Sequence, residues 1–108
     1  MPVVTEIAPA ELAARRATGD APLVLDVREA WELNVASIPD VLHIPMNEIP
    51  ARMGDLDKDR DIVVMCRSGG RSMQVAQFLA HNGFRSVANL SGGILAWSRD
   101  VDPSVEPY

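Results

Sequence analysis

The sequence predicts an α/β fold with a mainly parallel sheet. Two short runs of apolar and β-branched residues, 23–27 and 62–66, have the pattern of strands that are buried on both faces, as in parallel sheets. Helical patterns alternate with strand patterns along the chain, which is typical of α/β proteins. The length of 108 residues fits one domain and leaves no room for a second independent core.

The remaining strands and the helices follow in a regular order. Three weaker strand candidates lie at 3–7, 41–44 and 87–90. Turn and capping signals predict helices over 9–18, 72–82 and 93–99, with shorter helical turns at 29–35 and 49–53. Pro9 suits the first turn of the first helix, and Ser91 is a candidate N-cap for the last one. Residues 102–108 contain two prolines and are expected to form an irregular terminus.

The overall charge and hydropathy exclude several partners. A net charge of −5 argues against nucleic acid and anionic membranes as partners. No apolar run approaches the length of a membrane span. The first residues lack the basic and apolar regions of a signal peptide, so we expect a cytoplasmic protein.

The single cysteine, Cys66, limits the chemistry. One thiol excludes an internal disulfide, a paired-cysteine zinc site and a cysteine-ligated iron–sulfur cluster within one chain. The two histidines, His43 and His81, lack the spacing of a metal site. We therefore expect no metal and no cofactor, and any second thiol must come from another molecule.

The segment that contains Cys66 differs in charge from the rest of the chain. Residues 62–99 include four arginines and no Asp or Glu. Composition alone leaves chance clustering and a cationic site equally open. If the arginines converge in space, the site favours a small anion.

The run from Cys66 to Ser72, CRSGGRS, joins a predicted buried strand to a predicted helix. Open α/β sheets place ligand sites at the carboxyl ends of their strands. Small residues let several backbone N–H groups point inward, and a helix N-terminus and two arginines favour a thiolate. The alternative is a buried, inert cysteine at a strand end. The combination of strand, cysteine, small-residue turn and helix favours a nucleophilic Cys66 with a lowered pKa.

This run resembles the active-site loop of the rhodanese family of sulfurtransferases. Two further stretches resemble the family's other signatures. One is Asp26-Val27-Arg28-Glu29 with Glu32 and the pairs Ile38-Pro39 and Ile44-Pro45, and the other is Gly92-Gly93 followed by Trp97. The resemblance covers about residues 5–99, so we expect a single domain over 1–108 with a tail at 100–108.

The resemblance implies a rhodanese-like, mainly parallel five-stranded sheet flanked by helices on both faces. It also implies a two-step reaction in which the Cys66 thiolate takes a sulfur atom from an anionic donor such as thiosulfate. A nucleophilic acceptor, cyanide or a thiol, then removes that sulfur from the Cys66 persulfide. By match to the loop, Arg67 and Arg71 would bind the donor, Ser72 would donate a hydroxyl hydrogen bond, and the persulfide would be stabilised by the backbone N–H groups of Arg67, Ser68, Gly69, Gly70, Arg71 and Ser72.

Two other functions stay open at this point. Cys66 could carry persulfide between a protein donor and a protein acceptor in a sulfur relay. A phosphatase or arsenate reductase on the same fold is less favoured, because the loop from Cys66 to Arg71 is one residue shorter than in the related dual-specificity phosphatases. The loop also contains no acidic residue to protonate a leaving group.

The segment from Asp26 to Val41 gives two local expectations. Asp26 and Arg28 follow a buried strand and are expected to form a buried ion pair that stabilises the turn. Around the first Ile-Pro pair, Ala36-Ser37 and Asp40-Val41 replace the family's usual Gly-His and Gly-Ala. We therefore expect an altered loop geometry in this segment.

Overall fold

The computed structural model describes residues 3–108, so residues 1 and 2 of the predicted domain lie outside it. The sheet has five strands in the order β1-β5-β4-β2-β3, and every neighbouring pair is parallel. The strands are β1 (Thr5–Ile7), β2 (Leu23–Asp26), β3 (Leu42–His43), β4 (Asp61–Met65) and β5 (Ser86–Leu90). The predicted α/β fold with a parallel five-stranded sheet is confirmed.

Helices cover both faces of the sheet, as expected. They are α1 (Pro9–Ala17), α2 (Ala30–Val35), α3 (Ile49–Arg52), α4 (Gly70–His81) and α5 (Gly93–Asp100). Leu12 of α1 and Ile94 of α5 pack on the face to which Val63 of β4 points, whereas Val75 of α4 packs on the face to which Val64 points. This follows from the pleat, which sends successive side chains of a strand to opposite faces.

The start of α4 and the cap of α5 differ from the sequence-based expectation. Helix α4 begins at Gly70, two residues before the predicted Ser72, because Gly69 adopts a left-handed φ of 110° and turns the chain directly into the helix. The N-cap of α5 is Gly92, with φ of 74° and no side-chain cap, so the prediction that Ser91 caps this helix is wrong. The earlier start of α4 brings its N-terminus closer to Cys66.

The tail is irregular, as predicted, yet it is held against the domain. Val105 is buried, and its carbonyl oxygen accepts a hydrogen bond from the Ser98 hydroxyl. Tyr108 is half-buried beside the loop that follows Cys66. Within residues 3–108, no helix has the length and apolar character needed to cross a membrane.

Candidate active site

Cys66 follows the last residue of β4 and lies at the carboxyl edge of the sheet, where the first turn of α5 holds the loop. The N–H groups of Ile94 and Leu95 donate to the carbonyl oxygens of Cys66 and Arg67, at 2.9 and 3.2 Å. A Cβ atom at Gly93 would clash with the main chain of Cys66 and Arg67, so only glycine permits this approach. The second glycine of the pair is thus required by the close contact between α5 and the cysteine loop.

The Cys66 sulfur lies in a cradle of hydrogen-bond donors. Its Sγ accepts from the N–H of Gly69 at 3.1 Å, from the N–H of Ser72 at 3.4 Å and from the Ser72 hydroxyl at 3.3 Å. Burial raises the pKa of the Cys66 thiol, but the Ser72 hydroxyl and the N–H groups of Ser72, Gly69 and Ser68 together lower it below its ordinary value. The cradle therefore favours a thiolate, the nucleophilic form.

Arg71 lies in the first turn of α4 and is paired with Glu32, which belongs to the motif that begins at Asp26. Its guanidinium donates to both carboxylate oxygens of Glu32, at 2.7 and 2.9 Å. These hydrogen bonds raise the pKa of Arg71, and the charge of Cys66 acts in the same direction, so the two groups interact. A guanidinium has five N–H donors, and three remain after the two bonds to Glu32.

Arg67 is exposed and differs from Arg71 in its partners. Its Nε donates to the main-chain oxygen of Tyr108, and its guanidinium lies 5.3 Å from the centre of the Tyr108 ring. Among residues 3–108, no carboxylate side chain lies within ion-pair distance of Arg67. Arg67 is therefore held by the main chain and the ring of Tyr108 and not by a side-chain carboxylate.

The predicted Asp26–Arg28 ion pair is confirmed, and both side chains are fully buried. Nη2 of Arg28 lies 2.7 Å from Oδ2 of Asp26. Arg28 also donates to the carbonyl oxygen of Ala36 and to the Tyr108 hydroxyl, both at 2.9 Å. The Tyr108 hydroxyl in turn donates to Glu32 at 2.9 Å. One connected network therefore runs from the end of β2 to the carboxylate that holds Arg71.

Only two of the four arginines in residues 62–99 converge on the site. Arg67 and Arg71 lie in the loop, whereas Arg85 pairs with Asp59 and Arg99 pairs with Asp100. The cationic character of the segment thus comes from a local pair of arginines.

Three residues of the site were missed as site residues by sequence reasoning. Glu32 and Tyr108 orient the two arginines, and Asn89 of β5 hydrogen-bonds to Ser72 behind the sulfur. Glu32 was noted only as part of a motif, and Tyr108 lies in a tail that has no pattern. Asn89 is a polar residue within a predicted strand, which is the one signal that could have indicated it.

The dependence of the unfolding free energy on pH, measured at acid pH, tests the Glu32–Arg71 pair. Arg71 lowers the pKa of the Glu32 carboxyl from its ordinary 4.5 to about 2. Because the folded pKa is the lower one, Glu32 contributes stability above pH 4.5 that is lost as the pH falls towards 2. Urea unfolding of Glu32→Gln should show a shallower pH dependence of the unfolding free energy over this window. Glu11→Gln, at an exposed carboxylate, should keep the parental slope, and a parental slope for Glu32→Gln would contradict the assignment.

The fold and the loop together define a class of small α/β proteins with one buried cysteine in a cradle of hydrogen-bond donors. The chain matches the model of the rhodanese-like domain over residues 8–100. The chain therefore belongs to the rhodanese-like family.

Relatives and solved structures agree with this assignment. The chain is 44% identical over 105 residues to a protein of Allochromatium vinosum named sulfurtransferase, covering 97% of this chain and 98% of that protein. It is 39% identical over 75 residues to Bacillus subtilis YrkF, which is named for a proposed sulfur-carrier role, covering 69% of this chain and 40% of that protein.

A rhodanese-like domain protein of Staphylococcus aureus superimposes with a TM-score of 0.84 at 28% identity, covering 97% of this chain and 99% of that one. The names of these relatives support sulfur transfer in general.

Proposed function

We propose that this protein is a sulfurtransferase that moves a sulfane sulfur from a small anionic donor such as thiosulfate to a nucleophilic acceptor. The observation that carries the proposal is the geometry at Cys66, where a buried sulfur accepts hydrogen bonds from the main chain of Gly69 and Ser72 and from the Ser72 hydroxyl. Such a cradle stabilises negative charge on sulfur without supplying a proton donor for a leaving group.

The first step forms a persulfide. The Cys66 thiolate attacks the outer sulfur of thiosulfate, a new S–S bond forms at Cys66, and the original S–S bond breaks. Its electron pair leaves with sulfite. The outer sulfur now carries the negative charge, and N–H groups of the loop are positioned to stabilise it.

The second step returns the enzyme to its starting state. Cyanide or a thiolate attacks the outer sulfur, the persulfide bond breaks, and its electron pair stays on Cys66 as the thiolate. Because Cys66 is the only cysteine, no second thiol of this chain can resolve the persulfide. We propose a cytoplasmic location, because thiol acceptors are available there.

The two arginines have different parts in donor binding. Arg67 is exposed and makes no ion pair with a side-chain carboxylate of residues 3–108, and we assign it the longer-range electrostatic attraction for the anionic donor. Arg71 is oriented by Glu32, and we assign its remaining N–H donors to hydrogen bonds with the donor anion.

The burial of Cys66 supports sulfur transfer from a donor of small cross-section. Only 1% of the residue is exposed, so the attacked atom must reach Sγ through a narrow opening. The six-residue loop is also shorter than the loop of the related phosphatases, which must surround a whole phosphate group. Both features disfavour phosphatase and arsenate-reductase chemistry.

A persulfide carrier in a protein-to-protein relay is the second candidate. It is supported by the likeness to a relative named for a proposed sulfur-carrier role. In this role a protein persulfide replaces thiosulfate as the donor, while the chemistry at Cys66 is the same. The two candidates therefore differ in the rate with each donor and not in the intermediate.

Intact-mass measurement after incubation with thiosulfate tests the proposal. We expect the protein to gain one sulfur atom, and we expect cyanide to remove it. Single-turnover rates with thiosulfate and with a persulfidated cysteine desulfurase then separate the enzyme from the carrier. A protein that gains no sulfur from either donor and hydrolyses a phenyl phosphate would overturn the assignment.

Replacement of each arginine tests their division of labour. Arg67→Gln should raise the KM for thiosulfate by about tenfold, because it removes a positive charge next to Cys66 in the chain. Arg71→Gln should lower kcat/KM by a smaller factor and leave Glu32 without its partner. Arg85→Gln removes the same charge from an exposed position away from the loop and should leave both constants unchanged. A parental KM in Arg67→Gln would remove this residue from the donor site.

A further inference from the structure

A buried chain of hydrogen bonds runs from Cys66 through Ser72 to Asn89, and the proposed reaction does not use Asn89. The Ser72 hydroxyl oxygen lies 3.3 Å from Sγ of Cys66 and 2.5 Å from Oδ1 of Asn89. Ser72 is fully buried, and Asn89 is 3% exposed. Bulk water therefore does not compete for this hydroxyl hydrogen.

The other contacts of Asn89 determine which way its amide faces. Nδ2 donates to the carbonyl oxygen of Gly69 at 3.2 Å and to the carboxylate of Glu6 at 3.4 Å. Both partners can only accept, so the NH₂ group must face them. Oδ1 then faces Ser72 and is an acceptor for its hydroxyl.

The Ser72 hydroxyl has one hydrogen and two acceptors within reach. While Cys66 is a thiol, its S–H can donate to the Ser72 oxygen, and Ser72 can donate to Asn89. A thiolate only accepts, so Ser72 must turn its hydrogen to Sγ and give up the bond to Asn89. Formation of the thiolate therefore breaks one buried hydrogen bond.

We propose that Asn89 is a positioning residue that competes with Cys66 for the single hydroxyl hydrogen of Ser72 and so limits the thiolate form. Asn89 is not needed to keep the Gly69 turn in place, because the N–H of Met73 also donates to the Gly69 carbonyl, at 3.1 Å. Competition is thus its main effect on the sulfur.

The consequence for sulfur transfer rests on the proposed function. In the persulfide the inner sulfur carries no charge, so the Ser72 hydrogen can return to Asn89. Asn89 then favours the loaded cysteine over the free thiolate. This role needs no contact between Asn89 and the donor.

The pH profile of Cys66 alkylation by iodoacetamide tests the competition without requiring sulfur transfer. Since Cys66 is the only cysteine, the rate reports one site. Asn89→Leu replaces the amide by an apolar group of similar shape and frees the Ser72 hydrogen. The midpoint of the profile should move to lower pH, and the rate at pH 6 should rise about threefold.

A merely structural role of Asn89 predicts the opposite direction. A loosened loop would lose N–H donors to Sγ, and the midpoint would move to higher pH. The charged groups on this path, Arg71 beside Cys66 and Glu6 beside Asn89, are unchanged in this variant. Glu6→Gln is a control that keeps the acceptor and should leave the profile at its parental position.

A double-mutant cycle with Ser72→Ala completes the test. Without the hydroxyl, Asn89→Leu has no hydrogen to redirect and should leave the midpoint of the Ser72→Ala profile unchanged. Asn89→Ala replaces Asn89→Leu if the latter does not fold, with the same expected direction. An unchanged or raised midpoint, or an equal shift in the Ser72→Ala background, overturns the proposal. Absence of sulfur loading beside the expected profile would overturn the proposed function alone.

Discussion

Cys66→Ser should abolish sulfur loading while the protein stays folded. The substitution exchanges a polarisable thiolate for a hydroxyl that stays protonated near neutral pH, so no nucleophile remains for the donor sulfur. We expect sulfurtransferase activity to fall by at least about a thousandfold. Intact mass after incubation with thiosulfate should show no added sulfur.

The fold should survive this change because the serine oxygen can accept the hydrogen bonds that Sγ accepts from Gly69 and Ser72. Thermal unfolding of Cys66→Ser should therefore remain cooperative. Ser72→Ala is a matched control, since it removes one donor from the cradle and keeps the nucleophile. It should load sulfur more slowly, and sulfur loading of Cys66→Ser would show that the site lies elsewhere.

Arg28→Leu should have the largest effect on stability. It leaves the carboxylate of Asp26 fully buried without its cation, and it removes donors from the Ala36 carbonyl and the Tyr108 hydroxyl. Breaking a buried pair in this way costs about 3–5 kcal/mol. That is a large part of the roughly 5–15 kcal/mol by which a domain is stable. Urea unfolding should show a strongly reduced midpoint.

The double variant Asp26→Leu/Arg28→Leu separates the buried charge from the other lost bonds. It removes both charges, so it should be more stable than Arg28→Leu alone. Arg85→Leu removes an arginine whose side chain is 77% exposed and should change the unfolding free energy by no more than about 0.5 kcal/mol. A double variant less stable than Arg28→Leu would contradict this account of the pair.

The buried Asp26–Arg28 pair and the Arg71 side chain belong to one hydrogen-bond network. Arg28 binds the Tyr108 hydroxyl, which donates to Glu32, and Glu32 holds Arg71 beside Cys66. A substitution in the Asp26–Arg28 pair should therefore also reduce donor binding in the molecules that remain folded. The motif that follows β2 thus contributes to the site from a position that contacts neither sulfur nor donor.

The sequence by itself predicted the fold class, the order of the elements and the cysteine that we propose as the nucleophile. These depend on local patterns: the apolar runs of β2 and β4, the glycine-rich turn after Cys66 and the glycine pair before α5. Each pattern lies within a few neighbouring residues, so its physical effect can be deduced without distant partners.

Only the tertiary structure decided which distant residues the loop residues contact. Glu32 and Arg71 are 39 residues apart in the chain, Arg67 and Tyr108 are 41 apart, and Ser72 and Asn89 are 17 apart. These pairs meet because parallel strands bring their carboxyl ends to one edge of the sheet and because the tail folds back over that edge. No spacing rule links such residues, since the contact depends on the path of the whole chain.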